Sequence, residues 1–287
     1  MRKLFLFGLT LLGMLAAFAL LTPLIYSVDG TLQNLSATLR SPQAGSPLGT
    51  DQLGRDFLAR LTQATRTSLG MALLCSVSAG LLGTLLAVIA GSQRGIVDKL
   101  LSGFTDICSA IPPLLQILLI CAVLSAVSIE PIKALYISLT ATMWVEYFRL
   151  FRVVVKTTMV GDAVEASRLL GFNWRYVLRR HLLPEITERW LILTTLGTAN
   201  AVLSIATLGF ISVGIQPPRA ELGQLMTEGL VHFQEAPWLI LFPVGILFIF
   251  VLALSLLTHE TTTHGAETHS TETHGTANQL NPTDEKR

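Results

Sequence analysis

Residues 162–185, DAVEASRLLGFNWRYVLRRHLLPE, form a polar and basic segment wedged between long apolar runs. Ala163, Val164, Ala166, Leu169 and Leu170 recur at spacings of three and four, which predicts a short helix with one apolar stripe. Asp162 stands where an N-cap would satisfy free amides. Gly171 stands where a residue of positive φ would stop that helix. Asn173 is placed to cap a second helix from Trp174 to about Leu183, and Pro184 to kink or restart the chain as it enters the next apolar run. Two readings of the residues stay open. The segment is a compact knob for a groove on a partner, or a surface helix at the lipid interface with Arg175, Arg179 and Arg180 on headgroups.

Just over half of the 287 residues are hydrophobic and only 14% are charged, against about 25% in soluble domains. That composition is a polytopic membrane protein's. A net charge of +1 points to no nucleic-acid partner. Cys75, Cys108 and Cys121 lie inside apolar runs without CxxC spacing, so neither a disulfide framework nor a zinc site is indicated.

Crossing roughly 30 Å of hydrocarbon takes about 20 apolar residues. Six runs are candidates: about Leu4–Ile25, Leu69–Ala90, Leu101–Val127, Ile132–Phe148, Trp190–Val213 and Trp238–Leu257. The fourth is short and holds Glu146. The third holds Asp106 and Pro112-Pro113, which predicts a bent helix packed inside a bundle, where neighbours satisfy freed carbonyls. The fold class expected is all-α, a six-helix membrane bundle. Its divisions are 1–68 (first helix and outer loop), 69–257 (core bundle) and 258–287 (tail). Basic residues before the first run, between the second and third, and between the fourth and fifth put both termini in the cytoplasm. Arg40, Arg55, Arg60 and Arg66, between the first and second runs, argue against that orientation. The first run exceeds a signal-peptide core, so it is expected to be retained.

The order Glu165-Ala166-Ser167, Gly171, Leu183-Pro184 resembles the cytoplasmic coupling loop of ABC importer permeases, with Ser167 in place of the family's second Ala. A second stretch, LGTDQLGRDFLARLTQATRTSL at 48–69, is similar to the segment preceding the pore domain in the second permease of dipeptide, oligopeptide and nickel importers. Gly49, Asp51, Gly54, Arg55 and Asp56 carry that likeness. Its residues also make local sense: the glycines allow tight turns, and Asp51 and Asp56 can cap or pair with Arg55 and Arg60. Gly214-Ile215-Gln216-Pro217-Pro218 and Gly223 resemble the family's outward loop, with Leu222 where Trp is common. The resemblance runs from about Leu4 to Leu257. The family's usual Asn-Leu-x-Gly-Asp-x-Leu-Arg-Asp continuation is replaced here by Thr258-His259.

The resemblance implies half of a translocation pore in a bacterial inner membrane, paired with a sister permease, two cytoplasmic ATP-binding subunits and an extracytoplasmic solute-binding protein. Glu165, Ala166, Ser167, Gly171, Leu183 and Pro184 would then couple to the ATPases. No Gly-x4-Gly-Lys-Ser/Thr loop is present, so no cofactor is expected on this chain; ATP and Mg would sit on the partner subunits, and the chain would be no enzyme. A self-contained secondary transporter is the rival class, but the sequence shows no inverted halves.

The tail repeats THETT, THGAE, THSTE, THGTA, placing His259, His264, His269 and His274 five residues apart. Thr-, Glu- and Gly-rich sequence cannot bury a core, so disorder is expected. Imidazoles beside Glu260, Glu267 and Glu272 suit nickel or zinc. That tail, with Ala64-Thr65-Arg66, leans the expected cargo toward nickel or a nickel chelate, with short peptides as the alternative.

Overall fold

The computed structural model describes the backbone of residues 2–93 and 95–279, and side chains of 3–92 and 95–258. Ten α-helices follow in chain order: α1 (Arg2–Ile25), α2 (Phe57–Gln93), α3 (Ile96–Ser109), α4 (Pro113–Ala126), α5 (Pro131–Met159), α6 (Asp162–Leu169), α7 (Trp174–Val177), α8 (Leu183–Phe210), α9 (Leu222–Val231) and α10 (Trp238–Gln279). Apart from isolated bridges at Gln43–Ser46 and Thr50–Asp56, regular structure among the described residues is helical.

Lys3–Ile25, Phe57–Ser92, Trp174–Phe210 and Trp238–Thr258 are each long and apolar enough to cross a membrane. The α3–α4 pair makes a fifth span if its two halves, bent by 95°, are counted as one. The expected fourth span, α5, has 29 residues but is too polar to qualify, with Lys133, Glu146, Arg149, Arg152 and Lys156 along it. The expected count of six is therefore not reached: four spans are clear, five if the bent pair is one, and α5 is long enough but not apolar enough.

The bend arises at Pro112-Pro113. Proline forces its predecessors out of the helical region, and Pro112 is extended, at φ −54° and ψ 135°. Gln116 closes the end of α3: its Nε2 donates to Ile111 O at 3.1 Å and to Cys108 O, which also accepts from Ile111 N–H at 3.2 Å. The expectation of a helix packed inside a bundle is corrected here. Ile107, Leu115 and Leu119 are more than half exposed, and only one side of α4, at Ile117 and Cys121, is buried. A side chain of the pair itself satisfies the freed carbonyls, so no enclosing neighbours are needed.

The core is α2 lying parallel to α5, with α8 antiparallel across both. Glycines make this close. A Cβ on Gly83 would sit 2.5 Å from Trp144 O and 2.7 Å from Tyr147 Cβ, and one on Gly91 2.6 Å from Val155. Where the three helices meet, Ser76 Oγ and Tyr147 OH lie 2.7 Å apart, Ser76 donates to Thr194 O at 3.0 Å, and Tyr147 to Leu193 O at 3.2 Å. Two apolar clusters flank this node. One is built around Phe57, Leu139, Ile205 and Phe250 and the other around Phe148, Phe151, Val155 and Leu182. The start of α1 packs on the middle of α10, where Gly8 faces Ala253 and Leu256.

α2 is unbroken for 37 residues, so the expected lead-in helix and second span are one element, and the 68/69 division falls inside it. The backbone of α10 runs on to Gln279, and the rest of the expected disordered tail lies outside the described residues.

Gly83→Ala is expected to cost about 1–3 kcal/mol through overpacking, seen as a lower melting temperature in detergent. Gly70→Ala, whose Cβ would meet nothing within 4 Å, should not lower it. Equal behaviour of the two would contradict the α2–α5 contact.

Candidate functional site: a docking loop and an outer charge clamp

At one end of the bundle the 160–183 segment folds as two helices around a glycine turn. Gly161, not Asp162, occupies the N-cap of α6, without a side-chain hydrogen bond. Asp162 lies in the first turn, where a carboxylate still favours the helix dipole. The stop is as expected. Gly171 has φ +82°, its N–H donates to Arg168 O at 3.0 Å, and Phe172 N–H donates to Ser167 O at 3.1 Å. That pair of bonds is a Schellman motif. A Cβ on Gly171 would meet nothing within 4 Å, so the need for glycine is purely conformational.

Asn173 caps α7 as expected, accepting from Tyr176 N–H at 3.1 Å. The second helix does not end near Leu183. A π-helical turn, Leu178–Leu182, joins α7 to α8, and Pro184 sits in the first turn of α8. The wider turn accommodates the proline's missing N–H without a break.

The two arms are tied by a contact between residues 14 apart. Ser167 Oγ donates to Ala163 O at 2.9 Å, which leaves it to accept from His181 Nε2 at 2.9 Å. His181 meets Tyr176 edge-on, and Tyr176 stacks on Phe172 with centroids 4.1 Å apart. Ser167, the departure from the usual alanine, is buried and pairs with a histidine on the π turn. Glu165 and Ala166 are exposed on α6, and Leu183 and Pro184 on the approach to α8. The Glu165 side chain makes no ion pair or hydrogen bond among the described residues. Around the turn, Leu169 and Leu170 are 84% and 76% exposed, and Phe172 and Trp174 are also exposed. The result is an ordered apolar knob.

The 48–69 motif lies at the opposite end and does something else. Gly49 and Gly54 have φ +78° and +67°, and a side chain on either would strike the backbone of Arg40 or Asn34. Asp51 Oδ1 accepts from Leu53 and Arg55 N–H at 2.9 Å each. Its Oδ2 accepts from Arg55 Nε at 2.6 Å and Arg60 Nη1 at 2.7 Å. Arg60 Nη1 also reaches Glu228 Oε2 at 2.6 Å, and Arg55 Nη2 reaches it at 3.2 Å. Gln52 and Gln224 donate to the same carboxylate at 2.9 and 3.0 Å. Two cations and two anions thus share one site, with Arg60 fully buried. Asp56 caps α2 through Ala59 N–H at 2.9 Å and accepts from Tyr26 OH at 2.7 Å. Burial, then this carboxylate, push the Tyr26 hydroxyl up to about 12.

Sequence reading missed the acids of α9. Burial works to raise the Glu228 carboxyl, but the Arg60 guanidinium and its other donors outweigh it and hold the pKa below the usual carboxylate range. Glu221 is fully buried without a cation. It caps α9 through Gly223 and Gln224 N–H and accepts from Ser68 Oγ at 3.2 Å, and burial pushes its pKa up. The available signal was the surplus of arginine in the first loop, which contradicted the charge rule. Arg55 and Arg60 are neutralised in ion pairs, so the contradiction softens.

Asp106, costly in lipid, was expected to face a bundle interior or a cavity. It pairs with Arg149 at 2.7 Å on an exposed surface. Among the described residues no group of three or more His, Cys, Asp or Glu is placed to hold a metal. The side chains of His259, His264, His269 and His274 lie outside the described residues.

The bundle has four clear apolar spans, or five with the bent pair, an apolar knob at one end and a clamped loop at the other, the build of a multi-pass membrane protein. Residues 83–259 match the family described as binding-protein-dependent transport system inner membrane component. The chain belongs to that family, and is a permease of an ABC importer in the inner membrane. It is 32% identical over 259 residues to the dipeptide transport system permease protein DppC of Haemophilus influenzae, covering 88% of this chain and 86% of that one. It is 33% identical to the di/tripeptide permease of Pseudomonas aeruginosa (87% and 83% covered). To the oligopeptide permease OppC of Bacillus subtilis it is 28% identical (85% and 79% covered).

Arg60→Ala removes one of the two cations that Asp51 and Glu228 share and is expected to cost about 3–5 kcal/mol, read as thermal unfolding in detergent. Arg66→Ala, at an exposed position, should stay within about 0.5 kcal/mol. In the docking loop, Gly171→Val should lose the ATPase subunits on purification, because a β-branched residue resists positive φ. Gly171→Asn should retain them, because Asn tolerates that region. Equal retention by both variants would separate the turn from docking.

Proposed function

We propose that this chain is one of two different permease subunits of an ATP-driven importer of di- or oligopeptides. The sister permease supplies the other half of the pore. Two cytoplasmic ATPases, which carry ATP and Mg, dock on the 162–184 loop of each permease, and an extracytoplasmic binding protein delivers cargo at the clamped end. Both termini lie in the cytoplasm. The observation that carries this reading is the exposed knob of Leu169, Leu170 and Phe172, held rigid by the Gly171 turn and the Ser167–His181 bond.

The arrangement suits transmission of force. α6 and α7 are short and tied together, and α7 runs through the π turn into α8, the helix that crosses the bundle. A push on the knob therefore reaches the α2–α5–α8 node without passing through a flexible joint. Rocking of this kind, driven by closure of the ATPases, would open the pore alternately to each side.

Peptide is favoured over nickel by the peptide names of the relatives at 28–33% identity over most of their length. The nickel lean rested on the tail histidines and on Ala64-Thr65-Arg66, and gains no support from those relatives. The test is uptake by the complex reconstituted in liposomes with its sister permease, ATPases and binding protein. ATP-dependent accumulation of labelled dipeptide, and none of free nickel, is expected. Nickel uptake without peptide uptake would reverse the reading.

A further inference from the structure

α1 is the least buried of the four clear spans. At its C-terminal end Leu20, Leu21, Leu24 and Ile25 are each more than half exposed. Where that apolar surface stops, the chain turns and closes on α2. Gly30 lies so near that a Cβ on it would stand 3.0 Å from Arg60 N. Between the end of α1, this turn and the first turns of α2 is a crevice of about 170 Å³. Thr22, Pro23 and Tyr26 form one wall, at the level where α1 leaves its span at Ile25.

The crevice is lined by one cation and one anion, Arg66 and Asp29. They do not pair with each other, and neither makes an ion pair among the described residues. Asp29 Oδ1 accepts from Thr31 N–H at 2.8 Å and from the Thr31 hydroxyl at 2.7 Å. These two bonds hold the carboxyl below the usual carboxylate range, and Oδ2 stays free. On the opposite wall, Gln63 and Arg66 are three residues apart on α2, so they share a face. Neither side chain makes a hydrogen bond among the described residues. The charges just behind are already used: Asp56 by Tyr26 OH and Ala59 N–H, and Arg60 by Asp51 and Glu228.

The same face of α2 runs on from Arg66 through Gly70, Leu73, Val77 and Leu81 at three- and four-residue steps. A Cβ on Gly70 would meet nothing within 4 Å, and Leu73 and Leu81 are more than half exposed. Arg66 therefore stands at the head of an open apolar stripe. A guanidinium there is costly in hydrocarbon and settles at the level of the headgroups.

We propose that this crevice binds the headgroup of a phospholipid that carries an ammonium, with the phosphate on Arg66 and Gln63, the ammonium on Asp29 and the acyl chains along the α2 stripe. Charge and shape select this occupant. A guanidinium and an amide donate to phosphate oxygens, and the free carboxylate oxygen accepts from an ammonium. An anionic lipid without an ammonium satisfies Arg66 but leaves Asp29 facing a like charge. Free phosphate leaves the apolar stripe uncovered. The crevice has room for a headgroup, and the acyl chains lie outside it.

The test uses the importer purified with all its subunits, stripped of lipid and titrated with phosphatidylethanolamine, phosphatidylcholine or phosphatidylglycerol of matched acyl chains. Bound lipid is counted by native mass spectrometry. The wild type should bind phosphatidylethanolamine most tightly. Arg66→Gln should weaken that binding about fivefold, the factor for one arginine at a lipid surface. Asp29→Asn should remove the preference over phosphatidylcholine, whose quaternary ammonium cannot donate a hydrogen bond. Both lipid-free variants should melt with the wild type, which separates lost lipid from lost fold. Equal affinity of the wild type for the three lipids overturns the proposal, as does unchanged binding in Arg66→Gln. Displacement of the bound lipid by millimolar inorganic phosphate would make this a free-phosphate site and overturn the lipid assignment. Loss of the sister permease from Arg66→Gln would overturn it too, by placing the crevice at the subunit interface.

Discussion

The close parallel packing of α2 on α5 is the contact on which the rest depends. Gly83 and Gly91 let the two backbones approach until a single methyl group would collide. In lipid, helices gain little from hiding apolar surface from one another, so association rests on van der Waals fit and on interhelical hydrogen bonds. Both are present at the α2–α5–α8 junction, where Ser76 and Tyr147 bond to each other and to carbonyls of α8. α5 leads into the docking loop and α8 leads out of it. Fixing these two helices against α2 therefore fixes the base of the knob.

Charge is distributed by the same economy. At the end opposite the knob, three buried charged groups and the half-buried Glu228 share one site, and each is satisfied by more than one partner. A group of that kind adds little net stability over an apolar filling, but removing one member is costly. It holds the 30–56 loop, the start of α2 and α9 in one register. At the loop end the arginines of 168–180 are exposed, and the surface they share with Leu169 and Phe172 is available to another protein.

Much of the docking loop was legible. Gly171 and Asn173 act through bonds to residues two to five positions away, and local spacing carries that information. The glycine and aspartate signals of 48–69 were also read correctly as turns, caps and pairs, since Asp51 meets Arg55 four residues on. The N-cap was misplaced by one residue, because a carboxylate in the first turn and one at the cap look alike in sequence. The end of the second helix was misjudged because a π turn absorbed Pro184, a choice made by the packing of α8. Six crossings were read from apolar runs, and α5 falls short of that description because its polar residues face specific partners, Asp98 and Asp106 among them, across space.

By itself the sequence determined the helical class, the apolar spans, the glycine turn of the knob and the family, because each depends on residues near one another in the chain. Tertiary structure alone decided that Ser167 meets His181, that Arg60 meets Glu228 168 positions away, and that Asp98 meets Arg152 across the α3–α5 contact. Those facts depend on which helix faces which, and on whether a charge finds its partner there. No local pattern encodes that, since the partner is set by the mutual fit of whole helices.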